Sequence, residues 1–397
     1  MSGARVTLVM RGLEGGGMQR CMLELGEVFA QRGCAVSLLV GDAGGAMRAR
    51  VPAGVQLVPL AAQSPLAARA TALRLLGRQA LPLVGISMPR MLRHLTALAA
   101  ELQRFDPQAV LAMGTQSNLA ALWARELAGI DARVVLCECT TLSVAASRSR
   151  RRFRRAYPAL AGRHYPAADA IVAVSDAVAD DLAATAPLPR ATITAIPNWV
   201  TTDLAAGAGA ALGHPWLQAG APPVVLAVGR LHWQKDFATL IRAFAVLRGR
   251  RPARLVILGE GPERAKLDDL AAALGVAAEV HFAGFVDNPF AWMSRAAVLA
   301  VTSVSEGFGN VIVEALACGL PVVSAACAGG PREILDGGRF GRLVPVGDAQ
   351  ALADAMEHTI CDPPDPAVLQ RRAADFSLAE ASGRYLDLLL GGKQHAA

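Results

Sequence analysis

The chain has 397 residues, 53% hydrophobic and only 18% charged. That apolar content can fill two domain-sized cores and excludes a disordered chain, and no heptad persists as a coiled coil would require. The net charge of +6 is unevenly placed: residues 1–200 carry 22 arginines, no lysine and 13 acids, whereas residues 201–397 are mildly acidic. The first half is therefore expected to meet something anionic.

Along the chain, short apolar runs alternate with longer helical segments. Arg5–Met10 reads as a strand, followed by a helix over Met18–Gln31 and a strand over Ala35–Val40. Further strands are expected at Ala109–Met113, Arg133–Cys137, Ala170–Val174 and Ala191–Ile196. A stretch rich in Ala, Gly and Pro, 205–223, marks a domain boundary. The pattern then restarts with strand Val224–Val228, helix Phe237–Leu247, strand Arg254–Leu258, helix Glu263–Ala273 and strand Glu279–Phe282. Helix Phe290–Ala296, strand Val298–Thr302, helix Gly309–Cys318 and strand Pro321–Ala325 follow.

The strand-like runs are continuously apolar, as in parallel sheets covered on both faces. Strands alternating with helices mean βαβ units. The expectation is an α/β protein of two doubly wound Rossmann-like domains facing across a cleft, with ligands at the carboxyl ends of the strands. The domains are placed at residues 1–200 and 201–375. An amphipathic helix lies within 376–397; the sequence leaves its packing open, a return to the first domain included.

The N-terminus lacks the basic-then-apolar pattern of a signal peptide. The longest uncharged stretch, Leu204–Gly229, is too broken by Gly and Pro to span a bilayer. The seven cysteines have scattered spacings, and Cys137-Glu138-Cys139 is C-x-C without an accompanying His. They read as reduced thiols with no metal site, in a cytoplasmic protein that is soluble or peripheral to a membrane.

Two segments carry most of the chemistry. In Thr302-Ser-Val-Ser-Glu-Gly-Phe-Gly-Asn310 a strand ends, two glycines follow and a helix begins. Gly307, Phe308, Gly309 and Asn310 would present backbone N–H groups and a positive dipole end to a phosphate. Glu306 before the helix and Glu314 inside it suit sugar hydroxyls, since a carboxylate accepts from two O–H donors. Singly, they read equally as a solvated and a capping glutamate. In Val228-Gly-Arg-Leu-His-Trp-Gln-Lys-Asp236, Gly229 supplies a turn, and Arg230 and Lys235 set two cations at the same sheet edge. The bland alternative is ordinary surface charge.

Together these segments resemble glycosyltransferase family 4, the retaining GT-B-fold transferases that use nucleotide sugars. Glu306 and Glu314 match the family's E-x7-E, and Gly229, Arg230 and Lys235 its G-R-x4-K. Ala317–Val323, Ala328–Ile334 and Gly259–Pro262 fit in the expected order. The resemblance covers essentially the whole second half. In the first half Gly15, Gly16 and Gly17 look like the N-terminal glycine loop, and Ser175 fits the pattern ahead of a helix. Many members carry a His near the reacting sugar, where this sequence has Glu138; that carboxylate either meets the acceptor or sugar, or pairs with a nearby Arg.

The resemblance implies a UDP- or GDP-linked sugar donor, no cofactor or metal, and retention of configuration. It gives Glu306 to the donor sugar, Glu314 to the ribose, and Phe285 and Val286 to the base through backbone groups. Arg230, Lys235 and the Gly307–Asn310 amides would stabilise the departing diphosphate. The acceptor would be a glycan or a polyprenyl- or lipid-linked molecule of cell-envelope polysaccharide or lipopolysaccharide synthesis.

Two arginine-rich stretches, Arg69–Arg93 and Arg148–Arg155, contain no acid. They read as an anionic-membrane surface, with a solvated face as the alternative. Few aromatics and no recognition module argue against nucleic acid. Competing functions are a GT-B nucleotide-sugar epimerase and a non-catalytic nucleotide- or membrane-binding module.

Overall fold

The computed structural model describes residues 3–85, 87–149, 151–200 and 207–391. The start of the boundary stretch at Ala205 and Ala206, and Arg150 of the basic run, lie outside them. The chain divides into two compact units, residues 1–198 with 378–397, and residues 199–377.

The first unit is built on a parallel sheet of seven strands. These are β1 (Arg5–Gly12), β2 (Ala35–Asp42), β3 (Val55–Pro59), β4 (Ala109–Met113), β5 (Arg133–Glu138), β6 (Ala170–Ala173) and β7 (Ile193–Ala195). Their order is β3-β2-β1-β4-β5-β6-β7. Every residue of β4 is buried, and five of the six in β5. Parallel strands shielded on both faces have no polar face to alternate with, hence their continuous apolar runs.

The second unit repeats the plan with β8 (Val224–Val228), β9 (Arg254–Leu258), β10 (Val280–Gly284), β11 (Val298–Val301), β12 (Val322–Ala325) and β13 (Arg342–Val344), ordered β10-β9-β8-β11-β12-β13. Its core gathers Val225, Phe244, Leu247, Leu255 and Ile257 with Leu352 and Met356 of the Ala349–Cys361 helix. Asp236 ends the turn after β8 and caps the next helix, Phe237–Arg250. Its carboxylate accepts from the Thr239 N–H at 3.3 Å and from the Thr239 hydroxyl at 2.7 Å.

Each sheet reverses its winding once, between β1 and β4 in the first and between β8 and β11 in the second. Loops leaving the carboxyl ends of such a pair diverge and open a crevice, which is where doubly wound sheets bind ligands.

The helix Leu378–Leu390 belongs to the first unit. It buries Ala381, Tyr385, Leu386 and Leu389. The Tyr385 hydroxyl lies 3.2 Å from Cys137 Sγ on β5, and Arg384 donates to the Ala195 carbonyl of β7 at 2.7 Å. Among the described residues no helix is long and apolar enough to cross a membrane. All seven cysteines are free thiols.

Candidate functional site

In the second unit the loops after β8 and β11 emerge side by side at the reversal point. Lys235, on the β8 loop, donates from Nζ to Glu306 Oε1 at 2.5 Å. The same carboxylate oxygen accepts from Ser303 Oγ at 2.6 Å. Two further bonds hold the loops together: the Gln234 side-chain Nε2 donates to the Ser305 carbonyl at 2.8 Å, and the Val304 N–H donates to the Gln234 carbonyl at 2.9 Å. The Thr302 hydroxyl donates to the Lys235 carbonyl at 2.7 Å. Glu306 is only 8% exposed, so its position is fixed from three sides rather than by solvent.

Two neighbouring loops close on this centre through glycines. Gly329, after β12, has φ +118°, and a methyl group there would overlap the Glu306 carbonyl. Gly259, after β9, has φ +139°, and a methyl group there would overlap the Gly229 carbonyl. Both positions need φ > 0 and close backbone approach, which only glycine combines. The Glu306 N–H donates to the Ala328 carbonyl at 3.0 Å, completing the seam.

The helix Asn310–Ala317 starts directly beyond, with Gly309 at its N-cap (φ +105°) and no side-chain cap. Glu314 is buried inside it. Phe308 turns into the core, edge-on to Phe376 at 5.5 Å, so only its backbone is available to a ligand. Arg230 is exposed, and among the described residues it has no ion pair. Phe285 is also exposed, at 58%, unusual for so large an apolar side chain, and Val286 is half-buried beside it. Burial, aided by Glu306, pushes the Cys327 thiol up to about 12, leaving it an inert neighbour.

In the first unit Gly15 and Gly16 have φ +111° and +142°, and Gly17 opens the helix Gly17–Gln31. Glu14, just before them, accepts from Arg11 at 2.9 Å and from Arg90 at 3.0 Å. Ser175 is a helix cap whose hydroxyl accepts from the Val178 N–H at 3.2 Å.

Glu138 ends β5 with no exposed surface. Its partners are the hydroxyls of Thr115 and Tyr165, each at 3.0 Å, the Thr140 hydroxyl and the Cys139 N–H, each at 3.2 Å. Among the described residues none of its partners is an arginine, which goes against the Arg-pairing alternative: the strand delivers the carboxylate into a ring of hydroxyl groups. Burial pushes its pKa above the usual carboxylate range, and the four donors pull it partly back.

Two family models match the chain: Glycosyltransferase Family 4 over residues 15–204 and Glycosyl transferases group 1 over residues 222–362. The chain belongs to glycosyltransferase family 4. Among relatives of this family 4 chain is the lipopolysaccharide core biosynthesis glycosyltransferase LpsE of Rhizobium meliloti, 38% identical over 42% of the chain and 49% of that protein. Another is an N-acetylgalactosaminyltransferase of Campylobacter jejuni that acts on N-acetylgalactosamine-N,N'-diacetylbacillosaminyl-diphospho-undecaprenol. It is 33% identical over 62% of the chain and 65% of that protein. The match thus spans about half to two thirds of these relatives' lengths.

Among solved structures, Anabaena HepE in complex with UDP-glucose superposes with a TM-score of 0.76 at 20% identity, covering 98% of this chain and 99% of that one. WaaG, a glycosyltransferase involved in lipopolysaccharide biosynthesis, gives a TM-score of 0.72 at 18% identity, covering 98% of this chain and all of that one. The fold of this family 4 chain is GT-B.

Motif reading did not single out Ser303, Gln234 or Thr302, which lock the Lys235–Glu306 pair, nor Thr115, Thr140 and Tyr165 around Glu138. Their signal is proximity across strands, which no local spacing carries.

Proposed function

We propose that this chain transfers a sugar, with retention of configuration and without a metal ion, from a UDP- or GDP-linked donor to a hydroxyl of a glycan or a polyprenyl- or lipid-linked acceptor. The reaction would serve cell-envelope polysaccharide, lipopolysaccharide or glycolipid synthesis at the cytoplasmic face of a membrane. The observation that carries the reading is the meeting of Lys235 and Glu306, from separate loops, at the reversal point of the second sheet and beside the Asn310–Ala317 helix start.

That arrangement suits a diphosphate leaving group. Negative charge grows on the diphosphate as the glycosidic bond breaks, and fixed cations and amides stabilise it without reorganising. Lys235 has three N–H donors and spends one on Glu306, leaving others for phosphate oxygens. Arg230 adds a planar fork, and the Gly307–Asn310 backbone adds the helix end. Two fixed cations supply the charge a metal would otherwise bring. Glu306 is assigned to the donor sugar, Glu314 to the ribose, and the exposed Phe285-Val286 segment to the base. Glu138 is assigned to the acceptor hydroxyl or the sugar, and the Gly15–Gly17 loop to the donor's sugar-phosphate or the acceptor. The names of the relatives above, with their lipopolysaccharide and diphospho-undecaprenol acceptors, support the acceptor class.

The test is turnover of UDP- and GDP-sugars by the purified chain, after a thermal-shift screen of UDP, GDP and ADP to choose the base. Lys235→Ala and Glu306→Ala should each lower turnover by about 10²–10³-fold while circular dichroism stays unchanged. EDTA should leave the wild-type rate intact. Near-normal turnover in both variants would remove the assignment.

A further inference from the structure

Four guanidinium groups crowd the carboxyl end of the first sheet with too few carboxylates to balance them. Arg11 lies at the end of β1 and Arg90 on the segment opposite; both spend a donor on Glu14. Arg151 precedes the short helix Arg152–Arg155 and Arg154 lies within it, beside the buried Phe153. The basic run is therefore not one solvated face: Arg151, Arg152 and Arg155 are exposed, but Arg154 is half-buried and turned inward. Among the described residues Arg154 has no ion pair.

Two buried donors are unsatisfied at the same place. Arg11 Nε is buried without a hydrogen-bond partner, and so is the hydroxyl of Tyr157, a residue only 5% exposed. Tyr157 lines a small cavity with Gln116 and Pro89, and Gln116 Oε1 accepts from the Arg90 N–H at 3.1 Å. The charges that reach the Tyr157 hydroxyl are Arg154, Arg11 and Arg151, against a single carboxylate, Glu138. Burial lowers the Arg154 pKa, and repulsion from Arg151 and Arg11 adds to it against a partial offset from Tyr157. A buried, unpaired donor costs free energy that a ligand can recover.

We propose that Arg11, Arg154 and the Tyr157 hydroxyl form a binding position for a phosphate or diphosphate group carried by the acceptor. Guanidinium forks match phosphate oxygens bidentately, and a phenolic O–H adds a neutral donor. The word acceptor rests on the transfer proposed above; the anion site itself does not. Gln116 adjoins Thr115, which holds Glu138, so the site places the anion close to the carboxylate on the acceptor side.

The experiment titrates inorganic phosphate and inorganic pyrophosphate into the full chain carrying Arg230→Ala and Lys235→Ala, which removes the other diphosphate position. Pyrophosphate should still raise the melting temperature. Adding Arg11→Gln and Arg154→Gln should weaken its binding by about tenfold or more. Tyr157→Phe guards against misfolding: it should melt no lower than its parent without anion, yet show a smaller pyrophosphate shift. A parallel arm with phosphatidylcholine vesicles, with and without phosphatidic acid, separates a lipid headgroup phosphate from a water-soluble one. Loss of either response in the Arg11/Arg154 variant supports the site. Undiminished responses in that variant and in Tyr157→Phe, or no anion response in the parent, would overturn it. Failure of the donor reading would show separately, as unaltered turnover in Lys235→Ala.

Discussion

Lys235 and Glu306 neutralise each other, and that pairing bears on how the site would answer an incoming anion. On the proposed donor reading, a diphosphate would compete with Glu306 for Lys235, and the carboxylate would be released towards the sugar as the cation turned to the phosphates. The geometry depends on loops whose backbones touch, and Gly329 is where that dependence is most exposed. Gly329→Ala must push back the Glu306 carbonyl and strain a positive φ, so it should cost about 1–3 kcal/mol of stability. Its turnover should fall with that of Glu306→Ala although no functional group is lost, which urea melts and initial rates together would check. Glu138 makes a pH prediction. Its folded-state pKa is raised above the ordinary 4.5, so the folded state favours the protonated form. Stability from this group is fully present below about pH 4.5 and is lost as pH rises through the folded value. Wild type should therefore lose stability relative to Glu138→Gln as pH climbs from 4 to 7, measured by denaturant melts across that range; a constant difference would contradict the buried-carboxyl account.

At the scale of elements, the central strands and their loops were more legible in sequence than two of the four edge strands. Short unbroken runs such as Val134-Val-Leu-Cys137 read as buried parallel strands, and the two glycine-bearing loops after β8 and β11 declared themselves by charge and turn residues. Edge strands β3 and β13 had no such signal: β3 is half-exposed and ends in Pro59, and β13 has three residues, beginning with the exposed Arg342. The helices Ala349–Cys361 and Pro366–Ala374 also escaped notice, since their caps, Asp348 and Asp365, follow irregular chain rather than a clear strand. The role of Glu138 stayed open for a related reason. Its partners come from three separate segments, so only tertiary structure could decide between arginine and hydroxyl neighbours. The final helix makes a test at this scale. Deleting residues 378–397 exposes the surfaces covered by Tyr385, Leu386 and Leu389, a loss on the order of 5 kcal/mol. Calorimetry should show the first unit melting far earlier, whereas Tyr385→Phe in the full chain, which keeps the packing, should lose only a small part of that stability.

For the molecule as a whole, the uneven charge acquires a surface. Residues 43–100 contain no acid, and the helix Pro65–Leu76 with its extension to Leu81 buries Ala68, Ala72 and Leu76. Its outer side carries Leu66 at 74% exposure, Leu73 and Leu81, with exposed Arg74 and Arg78 among them. Leucines among cations suit an anionic bilayer, where each basic side chain contributes about 1 kcal/mol. Leu66→Ser with Leu73→Ser should therefore reduce co-sedimentation with phosphatidylglycerol vesicles several-fold; unchanged sedimentation would detach this helix from any lipid role.

The division into units also bears on synthesis. The second unit is one unbroken stretch of chain, whereas the first takes its last helix from the far terminus. On the ribosome the second unit has all its parts before the first does, although the first begins to emerge earlier. The β5 surface awaiting Tyr385 must therefore stay uncovered until the whole second unit has been made, and a product stalled before residue 378 would display it to chaperones and proteases.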